Sequence, residues 1–273
     1  MAGAVEKYWH IITIGIQNTL VYRVNFLFRA VFGLVPLAAM VLLWQTIYGG
    51  QKGGAGSIGN YRLAEMISYY LLVTVVSALT SVTEDDWQIA ADIKDGLISQ
   101  FLLKPVDYLG YRFCLFAAGR LIYSLVALVP VTLFILHYRE YFLPPPSPGA
   151  FGLFFLSLAL TALLQFLMSF TMALLAFWVL EVATFIFILF AFEYLAGGHL
   201  FPIDILPPLV VEALFYTPFP YLLYFPISVY MGKVSGPALW QGLCIQAFWV
   251  GTAWLLARAV WARGLKHYSA VGG

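Results

Sequence analysis

An all-α polytopic membrane protein with about six transmembrane helices is the fold class this sequence predicts, on three observations. Of its 273 residues, 62% are hydrophobic and only 10% are charged. A soluble domain carries roughly 25% charged and 45–50% apolar residues, so lipid must be the solvent for much of this chain. The apolar residues also gather into runs of about 17–25, the length a bilayer requires. Finally, the basic residues fall mostly on one side of those runs.

The first element is helical by period. Over residues 5–23, Glu6, His10, Thr13 and Gln17 form a polar stripe, and Trp9, Ile12, Ile16 and Leu20 an apolar one. This is the pattern of a helix lying in the membrane interface, with Tyr8 and Trp9 at headgroup depth; a helix packed on its own protein is the other reading. Continuous apolar character is missing here, so no cleavable signal peptide is expected. Spans then follow at 25–48, 64–82, 113–137, 151–177, 180–197 and 238–260, the fourth and fifth divided only by a tight turn at Trp178 to Glu181.

Orientation follows from charge. With both termini inside, the cytoplasmic side receives Lys7, Arg23, Arg29, Lys94, Lys104, Arg112, Arg120, Arg258, Arg263 and Lys266. The outer side receives only Lys52, Arg62, Arg139 and Lys233. Both termini are therefore expected in the cytoplasm. The formal charge of +1 lacks the basic stripe that a nucleic-acid partner needs. Gln51-Lys52-Gly53 in the Gly-rich outer loop departs from the Walker pattern. Cys114 and Cys244 match no ligand spacing and are expected to be inert core residues, with no metal site.

Residues 84–112, EDDWQIAADIKDGLISQFLLKPVDYLGYR, hold 6 of the 13 acids and lie on the cytoplasmic side. Glu84, Asp85 and Asp86 favour a helix N-terminus, and Gly96 is placed to end that helix. LISQFLL (97–103) forms a second turn, Lys104-Pro105 breaks it, and Asp107 is placed to cap the next span. Trp87, Ile93, Leu97 and Phe101 then need a partner, which the chain has no soluble domain to supply. The segment reads as a docking element; a loop lying flat on anionic headgroups is disfavoured by its acids.

Residues 198–237 hold 7 of the 14 prolines, which cut an apolar stretch into pieces of about ten residues, too short to span. Broken helices at membrane depth survive only against protein or a watery cavity. The stretch therefore reads as outer re-entrant half-helices after the Gly197-Gly198 break, or as two further short spans. Ionisable residues within spans are functional candidates. Glu65 is expected to pair at the surface near Arg62, and Glu181 lies at the inner turn. Glu193, with Gly197, Gly198 and Asp204, is a candidate gate or substrate path; a structural hydrogen bond from Glu193 that anchors the half-helices is the equal alternative.

GLISQFLLKPVDYLGYRF, LAGGHLFPIDILP and the tail RGLKHYSAVGG resemble the matching segments of bacterial type-2 ABC exporter permeases, in the subgroup of short six-span subunits that work with a separate ATPase. The resemblance runs nearly the full chain. It implies a single transmembrane permease domain over 1–273, in the bacterial cytoplasmic (inner) membrane. It makes 5–23 the interface helix, 84–103 the coupling helix region and 198–237 the half-helices. Glu84, Asp85, Trp87, Ile93, Leu97, Phe101 and Lys104 would then meet a nucleotide-binding ATPase subunit, which binds ATP and Mg; this chain would bind no cofactor. A second permease subunit, identical or homologous, would complete the path within membrane lipid.

Two other function classes compete. A membrane-embedded lipid-modifying enzyme needs acids or histidines clustered at one depth, and these spacings assemble none. A non-transporting scaffold for an ATPase would share the docking element without a path. Substrate identity is not encoded in these motifs.

Overall fold

The computed structural model describes residues 2–50, 56–82 and 85–268. In chain order its helices are α1 (Ala2–Val21), α2 (Arg23–Gly49), α3 (Leu63–Thr80), α4 (Asp85–Lys94), α5 (Ile98–Leu102) and α6 (Tyr108–His137). Then come α7 (Pro148–Ala173), α8 (Ala183–Ala196), α9 (Pro208–Phe215), α10 (Tyr224–Tyr230) and α11 (Gly236–His267). Short 3-10 turns occupy Leu174–Phe177, Ile203–Ile205 and Phe219–Leu222. Among the described residues there is no strand, only an isolated bridge between Ile58 and Tyr61. The expected all-α polytopic architecture is therefore present.

Among the described residues five helices are long and apolar enough to cross a membrane: α2, α3, α6, α7 extended to Phe177, and α11. The fifth expected span is shorter than 180–197. α8 has 14 residues, about 21 Å at 1.5 Å per residue, against a hydrocarbon core of roughly 30 Å. At its start the turn after Phe177 runs on to Val182, and at its end Gly198 takes φ +98°, a region L side chains rarely enter.

Helix α3 is the central span, with 50% of its apolar window buried against 17–44% for the other four. α2 turns Ala30, Leu37, Val41 and Tyr48 inward; successive gaps of seven, four and seven residues put them on one seam. α1 and α2 are separated only at Tyr22. α1 runs beside the N-terminal half of α6, with Tyr8 against Gly110 and Gly15 against Leu115 and Ala118. Trp9 and Leu20, expected on one apolar stripe, stay exposed; the packed face is offset from that stripe toward Tyr8 and Gly15. This helix thus both covers its own protein and presents an aromatic residue outward.

All seven residues of α10 are buried, and α10 packs on α7 and α3. Helices α9 and α10, with 8 and 7 residues, are each too short to span. The buried side chain of Gln246 locks this region to α7 and α11. Its amide nitrogen donates to Ser157 O at 3.1 Å, Thr161 Oγ1 at 3.0 Å and Tyr221 O at 3.0 Å, and its oxygen accepts from Ser157 Oγ at 2.9 Å. Gln246→Leu strips this hub while keeping its volume, and is expected to cost about 1–3 kcal/mol. Thermal unfolding of the purified chain in mild detergent measures it; an unchanged midpoint would mean that the hub carries no net stability.

Candidate functional site

The segment between α3 and α6 begins with α4, whose inner face is set by helical period. Asp86, Ile89, Ala90 and Ile93 are buried, and they recur at three- and four-residue steps on one stripe. That stripe packs on the C-terminal end of α7 and the turn that follows it. Burial raises the Asp86 carboxyl above the ordinary carboxylate range, and the Trp87 backbone N–H, donating to Asp86 Oδ1 at 2.8 Å, partly offsets this. Trp87 itself is 50% exposed.

The expectation that Ile93 faces outward with Trp87 is corrected. They lie six residues apart, so they sit about 120° from each other around the helix, and Ile93 is 5% exposed. Phe101 is also mostly engaged within the chain. Its ring lies 5.2 Å from Tyr108 and 4.9 Å from Tyr111, with Lys104 Nζ 4.8 Å above it. The outward apolar surface consists instead of Trp87, Leu97, Leu102 and Leu103, the last 88% exposed; Leu102 and Leu103 were missed in the sequence. Glu84 lies outside the described residues, and Asp85 opens α4.

Several contacts tie the segment to two long helices, α6 and α11. Gly96, at φ +74°, makes the turn between α4 and α5, and its carbonyl accepts from Tyr268 Oη at 2.7 Å. Asp107 caps α6 by accepting from Gly110 N at 2.9 Å. The same carboxylate takes both arms of Arg258 from α11, at 2.5 and 3.0 Å. Tyr108 stacks on Trp261 of α11 at 4.9 Å and 8°. Beneath α4, the Arg112 guanidinium pairs with Asp92. Arg112 Nε also donates to Tyr108 Oη at 3.0 Å, and Tyr108 donates to Asp92 at 2.8 Å. Apart from the two contacts within the first turns of α6, these pairings join residues 16 to 172 positions apart, and helical period gives no sign of them.

A second feature opens beside α4. A cavity of about 460 Å³ runs from Asp86 and Trp87 between α7 and α8 to Glu193 and His199. Glu193 accepts a hydrogen bond from Gln165 of α7. It lies ten residues from the start of α8, about 15 Å along the helix axis. It is near the end of α8, as expected, but α8 is too short for that end to lie a full bilayer thickness from its start.

Of the four expected gate or path residues, Glu193 lines this cavity and the other three do not, although the Gly197 N–H donates to the Glu193 carbonyl at 2.7 Å. Gly197 O accepts from Tyr224 N at 3.1 Å, and Gly198 O accepts from Tyr69 Oη at 2.6 Å, so both glycines anchor the chain to α3 and α10. Asp204 lies in the turn Ile203–Ile205, near the hydroxyls of Tyr61 and Tyr224 and the Lys233 ammonium. Lys233 sits 3.7 Å above the Tyr61 ring. It is also the partner of Glu65, at 3.5 Å; Arg62 gives Glu65 only its backbone N–H, at 2.8 Å. Glu181 accepts from Ala183 N at 3.3 Å. Cys114 is buried, whereas Cys244 is on the outer surface of α11 rather than in the core.

Comparison with known proteins gives one family. The model of the ABC-2 family transporter proteins matches residues 34–272, which takes in α2 from Leu34 onward and all of α3 to α11. No curated protein matches the chain.

Proposed function

Because this chain belongs to the ABC-2 transporter family, we propose that it is the membrane-spanning permease subunit of an ATP-driven exporter in the bacterial inner membrane. The chain carries out no phosphoryl chemistry. ATP and Mg belong to a separate nucleotide-binding subunit, which seats on the outward surface of α4 and α5. A second permease subunit, identical or homologous, completes the path, with both termini cytoplasmic and with α9 and α10 as outer half-helices.

One observation carries this reading. The cytoplasmic segment has an exposed apolar outer surface at Leu97, Leu102 and Leu103, and its inner face is bonded to α6 and α11. A subunit that grips the outer surface can move the long helices without unfolding the segment. The scaffold reading uses the same surface, but leaves the cavity between α7 and α8 without a role.

The test removes the grip and spares the packing. Leu97→Asp with Leu103→Asp places charge on two exposed positions and is expected to leave insertion and thermal stability within about 0.5 kcal/mol of the parent. The parent chain, extracted from its native membrane in mild detergent, is expected to bring with it a protein that hydrolyses ATP. The double variant is expected to lose that protein. A parent chain that emerges alone, or a variant that keeps the ATPase and normal transport, would overturn the assignment.

A further inference from the structure

The cavity between α7 and α8 has a charge pattern that narrows what can occupy it. Its volume of about 460 Å³ is within the range of roughly 300–1,000 Å³ for small-molecule sites. The walls are mostly apolar, with Ile186, Phe187 and Phe190 from α8 and Met168 from α7. Two carboxylates mark its length, Asp86 at the cytoplasmic mouth and Glu193 at the deep end, and no Lys or Arg lines it.

The deep end is incompletely paired. Gln165 donates to Glu193, but a neutral amide leaves the carboxylate charge in place. Among the described residues no basic side chain pairs with Glu193. His199 lines the same end, and its buried Nδ1 has no hydrogen-bond partner among the described residues. A carboxylate at bilayer depth is costly unless something pairs with it. Aromatic faces at Phe187, Phe190 and Trp87 add a surface that attracts cations.

Resting on the permease reading, we propose that this groove is the cargo site and that its cargo is a cationic amphiphile. The positive centre lies against Glu193, the apolar body lies along α8, and Asp86 attracts the cation at the mouth. An anion of the same shape meets a carboxylate at each end and is excluded.

The probes are tetraphenylphosphonium and tetraphenylborate, which share shape and differ in sign of charge. Binding of each to the purified full chain in lipid nanodiscs is measured by equilibrium dialysis, with no ATPase present. The parent is expected to bind the phosphonium saturably and the borate not at all. Glu193→Gln is expected to weaken phosphonium binding at least about ten-fold, as loss of one charge contact in a low-dielectric site implies, with its melting temperature unchanged. Asp86→Asn is expected to weaken it less. Equal binding of the two ions, no saturable phosphonium binding, or a folded Glu193→Gln chain that binds as the parent does would each overturn the proposal. Should Glu193→Gln fail to fold, charge discrimination by the parent and the effect of Asp86→Asn still decide it. Because these readouts need no ATPase, their failure is distinct from loss of the subunit contact at Leu97 and Leu103.

Discussion

Replacing Arg112 by methionine is expected to detach α4 from α6 and cost up to roughly 3–5 kcal/mol, the range for breaking a buried ion pair by removing one partner. The side chains of Arg112 and Asp92 are 5% and 15% exposed, so solvent screens the pair little. The loss exceeds that of one hydrogen bond because the guanidinium meets Asp92, Tyr108 and Gln88 together. Without it, Asp92 retains the Tyr108 hydroxyl as a donor, and its charge is left without a cation. The chain can relieve this cheaply by releasing α4, so the thermodynamic cost is expected to fall below the upper limit while coupling suffers fully. Asp92→Asn combined with Arg112→Met should recover part of the stability, since no bare charge remains. Unfolding in mild detergent, together with ATP-dependent transport of the reconstituted complex, checks both effects. An Arg112→Met chain that keeps its parent stability and its transport would show that α4 is held by apolar packing alone.

That joint marks where the sequence is readable. Gly96 ending α4 and Asp107 capping α6 follow from local requirements, a positive φ and a free helix N-terminus, and both are read from a few neighbouring residues. The spans follow from apolar length in the same way. Asp92 with Arg112, Gln165 with Glu193 and the Gln246 hub join residues 20, 28 and up to 89 positions apart. No period within one helix encodes which neighbour it will meet. The grouping of Trp87 with Ile93 is a different case: the 120° between them is present in the sequence, and an angular reading separates them. The shortness of α8 was partly visible as Gly197-Gly198. Its consequence, a carboxylate about 15 Å from the start of α8 rather than a full span from it, depends on where the turn after Phe177 begins the helix.

The outer end of α3 should respond as sharply to Gly198→Ala. The Cβ would lie 2.5 Å from Tyr69 Oη, on a backbone at φ +98°. The strained backbone is expected to cost roughly 1–3 kcal/mol and overpacking of the fully buried Tyr69 a similar amount. Tyr69→Phe alone removes one hydrogen bond to Gly198 O, worth about 1 kcal/mol. In the double variant the clashing oxygen is gone, so the two costs should combine to clearly less than their sum, while the backbone strain stays. Additivity within about 0.5 kcal/mol in detergent unfolding would mean that Tyr69 swings aside freely and does not hold the glycine. The expected coupling has a mechanical meaning under the permease reading. α3 continues at its inner end toward α4 and at its outer end holds the chain that follows α8. A displacement applied at α4 therefore reaches the helix bearing Glu193 through α3 as well as through the packing of α7, and loosening Tyr69 from Gly198 should weaken that transmission even where cargo still binds.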